Sequence, residues 1–132
     1  MTDKNYLMNR FGQAVQYLPP RLRSAAMQLN DDVKIASREF RLRAGEPLSV
    51  TTATREVVIP SETNVRHEEL GTVVDIATGG SVHSAAESIK NGFITVAGGH
   101  RIGLCGTGVI RGGEVSFIKN ISSVAIRIAK EF

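Results

Sequence analysis

The chain has no tryptophan, one cysteine and only 5% aromatic residues in 132. A lone cysteine excludes an internal disulfide framework. No apolar run approaches the ~20 residues that cross a bilayer, and the opening "MTDKNYLMNR" lacks the apolar core of a secretory signal. The expectation is a cytoplasmic chain whose membrane contact is peripheral or made through partners. Charge is not heavily of one sign: 16 Lys and Arg against 13 Asp and Glu leave a net +3. That permits an acidic or phosphorylated partner without the dense basic runs that bind nucleic acid or lipid by charge alone.

Chemistry-bearing motifs are also scarce. Zinc needs closely paired Cys and His ligands, whereas His67, His83, His100 and Cys105 are scattered. No Gly-x-x-x-x-Gly-Lys-Ser/Thr string occurs, and Gly103, Gly106 and Gly108 run in the reverse order of the dinucleotide fingerprint with strand residues after them. Glu39, Glu46 and Glu56 each fall at a strand or turn where a solvated role suffices, so no catalytic residue is assigned. Five residues apart on one strand, His100 and Cys105 point to opposite faces, which argues against a thiol and imidazole pair. Cys105 reads as a small buried hydrophobe.

What the chain does have is pattern. With 42% hydrophobic and 22% charged residues it has the make-up of one soluble globular domain, 1–132, long enough to bury about two thirds of its unfolded surface. Leu7, Phe11, Ala14, Val15 and Leu18 share one helical face, stopped by Pro19 and Pro20. Leu22, Ala25, Ala26 and Leu29 mark a second short helix, so the helical start covers about 4–30 and ends in the turn-prone "NDD" of Asn30 to Asp32. From about 38 to 130 strands and helices follow. Period two sets in at Phe40, Leu42 and Ala44, with Arg41 and Arg43 on the opposite face. Gly45 to Pro47 reads as a turn, and Leu48–Thr52 and Glu56–Ile59 as strands, the latter closed by Pro60. Leu70, Val73, Val74 and Ala77 predict a third helix ended by Gly79 and Gly80. Val82, Ala85, Ala86 and Ile89 predict a fourth, with Ser84 and Glu87 as a capping box and Asn91 and Gly92 as its stop. Strands are expected at Phe93–Val96, Arg101–Ile110, Val115–Ile118 and Val124–Ala129, with Gly112 and Gly113 as a hairpin turn. Helices, strands, helices and strands without regular alternation make the fold class α+β: a small mixed or antiparallel sheet in two strand groups, with two helices between them.

Four glycines and four arginines remain. Gly98 and Gly99 let the backbone turn closely past a neighbour, presenting His100 and Arg101 at the start of a strand. Gly103 and Gly106 within that strand mark bulges, bends or close approach of another backbone. Arg41, Arg43, Arg101 and Arg127 all sit on strands. One reading is a solvated sheet face; the other is a guanidinium cluster for phosphate or for a neighbouring subunit's carboxylates, since arginine offers a rigid bidentate fork.

The blocks "FRLRAGEPLSV" (Phe40 to Val50), "NGFITVAGGHRIGLCGTGVI" (Asn91 to Ile110) and "ISSVAIRIAKE" (Ile121 to Glu131) resemble, in order, those of the stage III sporulation protein AA family, ATPases of endospore-forming bacteria. The resemblance implies the fold of the amino-terminal domain of type II and type IV secretion and pilus ATPases. It implies that a P-loop ATPase core follows in the full-length protein, which would use ATP and Mg and assemble as a homo-hexamer. It further implies that Arg41, Arg43, Arg101 and His100 contact nucleotide or a neighbouring subunit, and that the partners are the ATPase core and membrane proteins of the channel joining mother cell and forespore, with no stable nucleic-acid binding. The place implied is the mother-cell cytoplasm, peripheral to the forespore membrane. Two other readings stand beside it. One is a free-standing basic module that stacks single-stranded nucleic acid on Phe40, Phe93 and Phe117; the other is a small hydrolase using Cys105 or His100.

Overall fold

The computed structural model describes residues 3–59, 64–111 and 114–130. Helix α1 (Lys4–Val15) begins where the Asp3 carboxylate accepts the backbone N–H of Asn5 at 3.0 Å, and it buries Phe11, Ala14 and Val15. It ends before Pro19, and Leu18 stays buried beyond its last turn. Helix α2 (Pro20–Met27) carries Pro20 in its first turn, where the missing N–H costs nothing.

Where "NDD" predicted a turn, the chain forms a further helix, α3 (Asp31–Ala36). Asn30 is its N-cap, accepting the Val33 N–H at 2.9 Å, and Asp31 and Asp32 place negative charge in the first turn, where the helix dipole favours it. Turn formers and helix starters are the same residues, and buried Val33 decides between them.

Strands β1 (Glu39–Arg43), β2 (Ser49–Thr51) and β3 (Glu56–Val58) follow, then α4 (His67–Thr78) and α5 (Val82–Asn91). Pro60 lies outside the described residues. Gly79 and Gly92, at φ +63° and +81°, end the two helices in the left-handed region, as expected. The cap of α5 is Ser81, whose side chain accepts the Ser84 N–H at 3.2 Å, so the helix starts before the expected Ser84 and Glu87 box. The chain closes with β4 (Phe93–Thr95), β5 (Arg101–Arg111) and β6 (Glu114–Arg127). The two strands expected at 115–118 and 124–129 are one, because β6 pairs with β5 along its length. The expected turn at Gly112 and Gly113 lies outside the described residues.

The fold is α+β, and its strands form one antiparallel sheet in the order β3-β2-β1-β6-β5-β4. The two strand groups join where β1 pairs with β6. That pairing sets the register of everything that matters for the site. Val50, Phe40, Ile126, Ile102 and Ile94 are successive cross-strand partners, and all but Ile94, which is nearly so, are fully buried. They belong to one core with Phe11, Leu18 and Leu22 of the helical start and Leu70 and Val73 of α4. Phe11 meets Phe40 with ring centroids 5.4 Å apart, and burying each ring contributes roughly 1.5–3 kcal/mol. No helix among the described residues is long and apolar enough to cross a membrane.

Candidate functional site

Since side chains alternate along a strand, the register that buries Phe40, Ile126 and Ile102 turns their neighbours outward. Arg41, Ala125 and Gly103 form one outward row, and Glu39, Arg127 and Arg101 another. Small residues therefore floor the middle of this face, and charged ones stand around it.

Arg41 and Arg43 share this face, as the alternation predicted, and both reach Glu56. Arg43 donates to Glu56 Oε2 at 3.1 Å, with the Arg41 guanidinium 3.7 Å from the same oxygen, and the Ser49 hydroxyl also donates to it at 2.8 Å. Arg41 Nε donates to Glu39 at 3.0 Å, and Arg43 Nε lies 3.6 Å from Glu46. Both arginines are more than a third exposed, so each pair contributes about 0–1 kcal/mol. These guanidiniums are oriented but easily re-partnered. The hub, Glu56, was legible only as one polar position of a short strand.

Arg101 stands at the start of β5 and lies over the exposed Phe93 ring, 3.8 Å from its centroid. The contact fixes the guanidinium plane at about 0.5–1 kcal/mol. Among the described residues no carboxylate pairs with Arg101. The nucleic-acid reading loses its platform here: Phe40 is buried, the face of Phe93 is occupied by Arg101, and the Phe117 side chain lies outside the described residues.

His100 is not presented beside Arg101. It is fully buried, with Nδ1 accepting the Ala129 N–H at 3.1 Å and Nε2 3.0 Å from Gln13 Oε1. Burial, and next the Arg10 guanidinium, hold its pKa below 6.5. Arg10 completes the network, donating to the carbonyls of Ala129, at 2.7 Å, and Gly98. Gly98 and Gly99 do turn the backbone tightly, at φ +89° and +84°, and a Cβ on Gly98 would lie 2.6 Å from Gln13 Oε1. Sequence reasoning missed Arg10 and Gln13, whose i, i+3 spacing on α1 was the available signal.

Cys105 is exposed, contrary to the buried reading, because it falls on the outward row two residues beyond Gly103. It does face opposite to His100, as the spacing required. The register slips between Cys105 and Gly106, so Gly106 sits at an irregularity of the kind expected, whereas a Cβ at Gly103 would meet nothing within 4 Å. Chemically, the outward face offers fixed guanidiniums and carboxylates suited to holding charge, with the histidine withdrawn into the core.

The family model described as sporulation stage III, protein AA matches residues 8–132. Stage III sporulation protein AA of Bacillus subtilis is 24% identical over 119 residues, 90% of this chain and 38% of that protein, so the chain spans well under half of its relative's length. In the X-ray structure of the Legionella pneumophila ATPase DotB, 28% of that chain aligns with 74% of this one at a TM-score of 0.44 and 16% identity.

Proposed function

The chain belongs to the stage III sporulation protein AA family, and from that premise we propose that it is the amino-terminal interaction domain of a sporulation ATPase akin to the secretion motors. The observation that carries the reading is the outward sheet face, where Arg41, Arg43 and Arg101 stand oriented around a floor of small residues. The domain has no part in bond breaking itself. It contacts an ATPase core, the nucleotide held there and neighbouring subunits of a homo-hexamer, and through them serves the channel complex between mother cell and forespore from the mother-cell cytoplasm. ATP and Mg belong to the core, which supplies the phosphoryl chemistry. This chain's arginines suit the accessory task of offsetting charge on a polyphosphate from outside. Arg101 is the foremost candidate, since exchange of Arg41 or Arg43 onto a phosphate first requires release of Glu56.

The test is ATP hydrolysis by the full-length protein with Arg41, Arg43 or Arg101 replaced by Ala. Reduced hydrolysis with the domain still folded supports the reading. Unchanged hydrolysis in all three makes the face a plain solvated surface.

A further inference from the structure

One end of the sheet carries a line of cations that make no ion pair among the described residues. Arg55 lies in the β2–β3 connection, Arg38 just before β1, Arg127 at the end of β6 and Arg101 at the start of β5. Arg55 faces Thr52 at the β3 end of that connection, and β3, β2, β1, β6 and β5 are consecutive in the sheet, so at about 4.8 Å per strand the line runs across roughly 19 Å. Arg38, Arg55 and Arg127 border a single groove of about 420 Å³. None of the three makes a side-chain hydrogen bond or ion pair among the described residues, unlike Arg41, which lines the same groove. Arg101 and Arg127 are directly opposed across the β5–β6 ladder, an arrangement that destabilises a sheet when both residues carry the same charge. Arg38 also bears on Lys130, whose pKa is held down by burial first and by this arginine second. Glu39, opposite Arg127 on β1, has its carboxylate turned to Arg41 and offsets the Arg101–Arg127 repulsion only in part; such local conflicts mark surfaces that await a partner.

We propose that this groove binds an extended acidic segment of a protein, with carboxylates on one side of its backbone meeting Arg55, Arg38, Arg127 and Arg101 in turn. The dimensions match: an extended chain rises about 3.3 Å per residue, so four carboxylates at i, i+2, i+4 and i+6 span about 20 Å. Charge spread along a line suits carboxylates in series, each bound by one guanidinium fork. Glu39 and Glu56 lie along the groove among the cations, which suits a segment whose carboxylates alternate with neutral residues. Single-stranded nucleic acid would need bare aromatic faces, and Phe93 is covered by Arg101. The inference deepens the interaction role proposed above and rests on it, but it is read from peptide binding without ATP, so either can fail without the other.

The experiment titrates this chain into a fluorescein-labelled decapeptide of alternating Glu and Ser and follows anisotropy at low salt, with tripolyphosphate and a ten-nucleotide oligo(dT) as rival ligands. Saturable binding is expected, at least tenfold weaker in the double variant R38Q/R127Q and unchanged within twofold in K4Q/K90Q, which loses the same charge at exposed positions away from the groove. Should R38Q/R127Q fail to fold, R55Q in the exposed connection weakens binding at least threefold. The proposal is overturned if the peptide does not bind, if K4Q/K90Q weakens it equally, or if tripolyphosphate or oligo(dT) binds more tightly than the peptide.

Discussion

The backbone N–H of Ala129 donates to Nδ1 of the buried His100 at 3.1 Å, joining the strand that follows the Gly98–Gly99 turn to the residues just after β6. An accepting Nδ1 in a neutral ring leaves the proton on Nε2, which then donates to Gln13 Oε1 at 3.0 Å. The domain therefore requires His100 neutral.

That requirement has a pH signature. Burial, then Arg10, lower the folded-state pKa below 6.5, so the unfolded chain takes up the proton first as pH falls. The stabilisation from neutral His100 is fully present above pH 6.5 and declines from there down toward the folded-state pKa. Denaturant unfolding between pH 8 and 5 should show this decline in the wild-type chain. H100Q, less stable at pH 8, should show a shallower one.

Two glycines should behave oppositely. G98A forces a side chain into the left-handed region at φ +89° and against the Gln13 and His100 pair, 2.6 and 3.0 Å away. Gln13 cannot swing aside without releasing the imidazole, so the expected loss is about 1–3 kcal/mol. G103A meets nothing within 4 Å and has no positive φ. It should be neutral or stabilising by about 0.4–1 kcal/mol. Equal losses in the two, measured by thermal or urea unfolding, would contradict this account of the turn.

Much of this was legible before the structure. Period two at Phe40 and Leu42 placed Arg41 and Arg43 on one face, and Asn91 and Gly92 gave the end of α5 to the residue. Long-range partners were not legible. His100 follows two glycines in a polar stretch, and only the approach of α1 and Ala129 makes it a core residue. Cys105 has the composition of a buried position, and only the β5–β6 register turns it outward. The groove cations Arg38 and Arg55 belong to no periodic pattern at all. They are brought to one end of the sheet by the β1–β2 and β2–β3 pairings, and the joining of β1 to β6 sets Arg127 beside them.

The exposure of Cys105 is testable directly. In the folded chain iodoacetamide should modify it at close to the rate of the denatured chain, adding one carbamidomethyl group by mass spectrometry, and the far-ultraviolet circular dichroism should not change. A thiol that reacts only on unfolding would place Cys105 in the core, as the sequence first implied.

The central claim, that this domain's outward arginines act on a nucleotide held by a partner domain, is tested most directly by steady-state ATP hydrolysis in the full-length protein with Arg101→Ala and Arg101→Lys. The account predicts at least a roughly tenfold fall in kcat/KM for Arg101→Ala and partial recovery with lysine, which restores the charge without the fork. Wild-type hydrolysis in Arg101→Ala would contradict it.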